Sequence, residues 1–90
     1  MVNPNTSFVL KGYSRAQEVV LSGTFNEWDE QGYTMKKIGS AWTINIYLPP
    51  GKHLYKFLVD GNWVLDPDNK LWEKNQFDSQ NSIIWVKPLN

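Results

Sequence analysis

From Ala41 to Leu48 the chain alternates with a period of two residues, and it does so again from His53 to Asp60. In the first run Trp42, Ile44, Ile46 and Leu48 fall on one face, with Thr43, Asn45 and Tyr47 on the other. In the second, His53, Tyr55, Phe57 and Val59 oppose Leu54, Lys56, Leu58 and Asp60. This is the period of extended strands, whose side chains point to opposite faces in turn, and it is incompatible with an amphipathic helix. Pro49-Pro50-Gly51 separates the runs, because proline has no N–H to give a ladder and glycine permits a turn. So short a connection predicts that the two runs pair as an antiparallel hairpin. Asp60-Gly61-Asn62 is a second turn signal, launching a short strand over Trp63–Leu65.

The rest of the chain follows the same pattern. Ser7–Leu10 and Glu18–Ser22 are rich in β-forming residues, Tyr33–Lys37 is a weaker strand, and Ile83–Val86 is a closing one. The polar segment from Asp66 to Ser82 holds at most one helical turn, over Asn69–Lys74. A length of 90 residues allows one hydrophobic core, so residues 1–90 are expected to form a single domain whose first five residues fray. About seven or eight short strands divided by turns predict an all-β fold, an immunoglobulin-like antiparallel β-sandwich. Alternation turns Val19, Leu21, Trp42, Ile44, Ile46, Tyr55, Phe57 and Val59 inward.

Charge and composition narrow the function. Nine basic residues balance nine acidic ones, which argues against a non-specific grip on nucleic acid or an anionic membrane. There is no cysteine and a single histidine, His53, so thiolate chemistry and paired-histidine metal sites are excluded, and no cofactor is implied. No apolar stretch approaches the roughly 18 residues of a membrane span, and Met1–Thr6 lacks the pattern of a signal peptide. The compartment stays open.

Asp60, Asp66 and Asp68 cluster in sequence, and a glycosidase needs two carboxyl groups flanking its substrate. Beside glycine and proline, however, aspartate is a turn former, and that reading is preferred. His53 shares a strand face with Tyr55 and Phe57 and is expected to be packed and hydrogen-bonded rather than a base. Trp28 and Trp63 differ from Trp42 in lying at polar turns. Apolar surface left in water costs about 25 cal/mol per Å², so each either folds back onto the protein or awaits a flat apolar ligand. A pyranose ring, with one C–H face and a rim of hydroxyls, is such a ligand, and Lys56 and Asn81 are available polar groups.

The segment Leu21-Ser22-Gly23-Thr24-Phe25-Asn26-Glu27-Trp28 resembles a signature of the glycogen-binding domains of AMP-activated protein kinase β subunits, within carbohydrate-binding module family 48. The resemblance continues through Leu48–Trp63, Asp66-Pro67 and Asn81-Ser82-Ile83-Ile84, so that it spans Val19 to Val86. It implies a non-catalytic module that binds α-1,4-glucans such as glycogen, starch or maltooligosaccharides. It further implies that Trp28 and Trp63 stack on glucose rings and that Lys56 and Asn81 bond their hydroxyls. Where the family carries a Leu-Gly-Thr loop, this chain has Phe77-Asp78-Ser79, one residue longer between Trp63 and Asn81. Phe77 and Ser79 are therefore carried over as ligand contacts, and Asp78 is expected to remove a permissive backbone position. Trp72 lies outside the shared motifs and either covers the core or extends the platform, with cover the preferred reading.

The implied partners are an α-glucan and a catalytic kinase or hydrolase domain in a larger protein. A competing reading is a structural or interaction domain of the same fold whose sugar site is unused. Retention of Trp28, Lys56, Trp63 and Asn81 together speaks against that, because packing needs none of their polar identities.

Overall fold

The computed structural model describes residues 3–88. Nine strands arise among them: β1 (Thr6–Lys11), β2 (Val19–Gly23), β3 (Tyr33–Thr34), β4 (Lys36–Ile38), β5 (Ala41–Ile46), β6 (Gly51–Val59), β7 (Asn62–Val64), β8 (Trp72–Lys74) and β9 (Gln80–Val86). They form two antiparallel sheets. One has the order β1-β5-β4; the other has β3-β2-β6-β9-β8, with β7 paired to β6. The core between them is built from Phe8, Leu10, Val19, Leu21, Met35, Trp42, Leu48, Tyr55, Phe57 and Val59, and Ile44 and Ile46 pack against it. Every residue expected to point inward belongs to that cluster or touches it.

The hairpin expectation is corrected. β5 pairs with β1 and β4, whereas β6 pairs with β2, β7 and β9 in the other sheet. Pro49 and Pro50 do not turn the chain back on itself; they carry it across the sandwich. Leu48 is buried at the crossing, and both its backbone groups bond the Asn5 side chain. Of the residues expected to fray, Met1 and Val2 lie outside the described residues, while Asn5 also donates its N–H to Ile46 O.

Two further differences raise the strand number above the expectation. Tyr33–Lys37 is two short strands in different sheets, switching at buried Met35, whose N–H bonds Val19 O. The expected helical turn at Asn69–Lys74 is instead a loop followed by edge strand β8. Trp72, on that edge, stands opposite inward-facing Ser82 on the core side of the sheet and is 45% exposed, so it covers the edge of the core only in part.

Strand β6 organises the second sheet. Along one edge it pairs with β2 from Tyr55 to Val59; along the other it pairs with β9 from Gly51 to Tyr55, then with β7 from Phe57 to Val59. The exchange falls at Lys56 and is secured by a buried polar network on Tyr55. The Tyr55 hydroxyl donates to Asp66 Oδ2 at 2.6 Å and accepts from Asn69 Nδ2 at 3.0 Å. Asp66 N–H donates to Ser82 Oγ on β9 at 3.1 Å, and Asn69 Nδ2 also donates to Ile83 O at 2.9 Å. Asp66 thus ties the chain leaving β7 to β9. Asp60 is also structural, accepting from the Gln17 and Glu18 N–H groups. His53 Nε2 donates to Pro49 O at 2.7 Å.

Burial, then the hydrogen bond to Asp66, pushes the Tyr55 phenol well above the usual tyrosine range. An unfolded tyrosine ionises near pH 10, where Tyr55 in the fold keeps its proton, so the unfolded chain binds fewer protons and stability falls as pH rises past about 10. Tyr55→Phe is expected to be less stable at pH 7 and to show a shallower alkaline decline, measured by urea unfolding between pH 7 and 11.

Candidate functional site

Alternation on β6 turns Tyr55, Phe57 and Val59 into the core and leaves Lys56 and Leu58 on the outer face of the sheet. Register extends that face: Trp63 lies opposite Leu58, Ser22 opposite Lys56, and Val20 opposite Leu58 from the other side. Val20, Ser22 and Leu58 are buried although they face away from the core. A second layer therefore covers this patch, at the place where Trp63 and the loop bearing Trp28 lie.

That loop is specified residue by residue. At Gly23 a Cβ would sit 2.3 Å from Leu54 O and 2.7 Å from the Phe25 ring, so only glycine fits the close approach to β6. Thr24 Oγ1 accepts from Leu54 N at 3.1 Å, extending the ladder past the last residue of β2. Thr24–Asn26 form one 3-10 turn. Phe25 stacks on Tyr33 with ring centroids 6.0 Å apart and packs against the core. Asn26 accepts from Gly23 N and donates to Leu21 O, closing the turn from inside. Glu27 and Trp28 then adopt φ values of 58° and 57°. The left-handed region is strained for a bulky side chain, and the Trp28 N–H bond to Gly23 O at 2.9 Å holds it there.

Trp28 meets Trp63 edge to face, with centroids 6.2 Å apart and planes inclined at 72°. The two indoles form one wall of an open cavity of about 630 Å³, lined also by Lys56, Asn75, Gln76, Phe77, Ser79 and Asn81. All six residues singled out in the sequence, Trp28, Trp63, Lys56, Asn81, Phe77 and Ser79, border this one space.

Its polar groups are not all satisfied by protein. Lys56 Nζ donates to Ser79 Oγ at 2.8 Å and forms no ion pair among the described residues; desolvation lowers its pKa. Asn81 is 7% exposed, and its amide makes no hydrogen bond to another described residue but still reaches solvent at the cavity; the buried side-chain atom without a partner among the described residues is Ser22 Oγ, opposite Lys56. Phe77, by contrast, is 79% exposed at the rim.

Asn75 and Gln76 were not legible in the sequence. Asn75 Oδ1 accepts from Phe77 N at 2.9 Å and Ser79 N at 3.1 Å, and its backbone N–H donates to Ser79 O at 2.8 Å. The only cue was an asparagine two residues before Phe77, a common turn former. The expectation for Asp78 is corrected: at φ 60° it occupies the left-handed position itself, which aspartate tolerates better than most residues. No aspartate, glutamate or histidine lines the cavity among the described residues, and no group of such residues could hold a metal ion. No helix is long and apolar enough to cross a membrane among them.

A family model described as the glycogen recognition site of AMP-activated protein kinase matches residues 6–90. The chain is 41% identical over 71 residues to 5'-AMP-activated protein kinase subunit beta-1 of Sus scrofa, covering 79% of this chain and 56% of that one. It is 37% identical over 79 residues to subunit beta-2 of Homo sapiens, covering 88% of this chain and 28% of that one. It therefore spans less than two thirds of the length of these relatives. A maltogenic amylase crystal structure from S. marinus superposes with a TM-score of 0.75 at 21% identity, covering 93% of this chain and 14% of the amylase, a likeness of fold alone.

Gly23→Ala is expected to cost about 1–3 kcal/mol of stability through overpacking against β6. Asn75→Ala should leave the melting temperature nearly unchanged, because its loop is exposed, while raising amide exchange at Phe77 and Ser79. Thermal unfolding and hydrogen exchange measure the two effects.

Proposed function

The chain belongs to the glycogen-recognition family of AMP-activated protein kinase and is a carbohydrate-binding module, and from that premise we propose that it holds an α-1,4-glucan between Trp28, Trp63 and Phe77. The observation that carries this reading is the pair of indoles inclined at 72° above a cavity whose amide and ammonium groups lack protein partners enough to satisfy them. Successive sugars of an α-1,4 chain turn relative to one another, so platforms set at an angle receive their C–H faces where coplanar ones would not. Lys56 keeps two N–H donors beyond the one given to Ser79, and the Asn81 amide offers both a donor and an acceptor to glucose hydroxyls.

The reading of an unused site is disfavoured by what the cavity displays. The Asn81 amide and the Lys56 ammonium keep donors and acceptors that no other described residue uses. Neither is needed by the core. We further propose that the module performs no glycoside hydrolysis: Asp66 is held by Tyr55, Asp60 by the β2 entry, and no carboxylate among the described residues lines the cavity. The relatives are subunits of a kinase, and we place this module beside a catalytic partner, kinase or hydrolase, in a longer chain or complex. Few groups act and association is entropically costly, so a dissociation constant of roughly micromolar to millimolar is expected.

Trp28→Ala and Trp63→Ala should each weaken maltoheptaose binding by about 2 kcal/mol, measured by calorimetry. Lys56→Met should weaken it by about 1.5–3 kcal/mol with little change in melting temperature, since it removes the ammonium and keeps the apolar stem. Cellohexaose should bind far more weakly than maltohexaose, and neither sugar should yield reducing ends. Equal binding of the two hexaoses would overturn the angled-platform reading.

A further inference from the structure

We propose that Trp85 is a second stacking platform, taking a more distant sugar of the same α-glucan chain that occupies the Trp28–Trp63 cavity; it rests on the α-glucan reading above. The argument begins with alternation on β9. Ser82, Ile84 and Val86 face inward, Ser82 bonded to Asp66 and the other two packed on the core. Asn81, Ile83 and Trp85 therefore share the outer face, in line. Asn81 borders the cavity; Trp85, four residues on, lies about 13 Å away at about 3.3 Å per residue.

The ground between them is polar. Lys52 stands opposite Trp85 on β6, and Glu73 stands opposite Asn81 on β8. These two residues pair at 2.5 Å, so their bridge crosses the outer face of β9 above Ile83. With side chains 41% and 39% exposed, the ammonium keeps further donors and the carboxylate further acceptors for sugar hydroxyls. From one end to the other the strip runs from the paired indoles to the Asn81 amide and Lys56, then the Lys52–Glu73 pair, then the Trp85 indole. That is the pairing of flat apolar face and polar rim that a pyranose requires, repeated once along the strand.

A single exposed hydrophobic residue is ordinary and needs no ligand. Trp85 is set apart by its alignment. It is 63% exposed, has no aromatic partner among the described residues, and lies on the same face of the same strand as Asn81. Trp72 lacks this relation: it stands opposite Ser82 and so belongs to the other face of the sheet. Leu71 and Ile38 are comparably exposed but offer no flat ring.

The test is calorimetry of the wild type and Trp85→Ala with maltotriose and maltooctaose, with sedimentation velocity on both proteins. Trp85→Ala should bind maltotriose as the wild type does and bind maltooctaose about five- to tenfold more weakly, the loss expected of a substantial contact residue. Comparing variants at each length cancels the advantage that a longer chain gains from its additional binding registers. Unchanged maltooctaose affinity overturns the subsite and leaves the cavity reading standing. An equal loss for both sugars also overturns it, since the effect would then reach the cavity through the fold. Self-association of the wild type that Trp85→Ala abolishes, with maltooctaose affinity intact, would assign the surface to a second copy of this chain. No binding of maltotriose by the wild type would overturn the α-glucan reading and the subsite with it.

Discussion

The hydrogen bond from the Tyr55 hydroxyl to Asp66 is the interaction on which both the sheet and the cavity depend. Strand β6 needs two partners on one edge, because β9 ends its pairing at Tyr55 and β7 begins at Phe57. Such a division would leave a loose seam in the sheet. Tyr55 and Asp66 close it from the core side, with Asn69 and Ser82 completing the set of donors and acceptors. A fully satisfied buried network fixes geometry more narrowly than apolar packing, since each member has one arrangement that leaves nothing unpaired. With the seam closed beneath it, Lys56 can stand on the outer face beside the point where β7 and β9 diverge, and the Asn75–Ser79 loop reaches it from β8.

The strands were legible because alternation records which face is buried, and burial is decided locally for β1, β5 and β6. Pairing was not. Pro49-Pro50-Gly51 announces an interruption but carries no information on whether the chain folds back or crosses to the other sheet, and the Asn5 amide that receives Leu48 is 43 residues away. Strand β2 reads as continuous apolar sequence, Val19-Val20-Leu21, because it is covered on both faces, one by the core and one by the layer that holds the tryptophans. Trp72–Lys74 has neither alternation nor an apolar run; it is a strand only because β9 lies beside it.

The site divides along the same line. Trp28, Lys56, Trp63 and Asn81 could be named because they sit in motifs with other jobs: Gly23, Phe25 and Asn26 build the turn that presents Trp28, and Asp60-Gly61 builds the one that presents Trp63. The motif is conspicuous for its structural residues, and the proposed ligand contacts come with it. Asn75 and Gln76 belong to a loop whose shape comes from one asparagine side chain closing on backbone N–H groups. Asparagine does this at many turns, so its identity alone could not place it at a cavity.

What distinguishes the cavity from the rest of the surface is that its groups are left unmet within the protein. Trp28 is held in a left-handed conformation, Lys56 has no counter-charge among the described residues, the Asn81 amide has no partner among them, and Phe77 stands in water. The first of these opposes folding in a domain with little stability to spare, and the other three are open to a ligand. Strain and unmet polar groups persist where the surrounding structure over-determines them, and here the Tyr55 network below and the Gly23–Asn26 turn beside them do so. A ligand that covers indole and phenyl faces while bonding an amide and an ammonium uses the other three at once. The groups are already in place, so little ordering remains to oppose association. The apolar and polar demands also alternate on the scale of a single ring, which matches an oligosaccharide better than a peptide or a lipid chain.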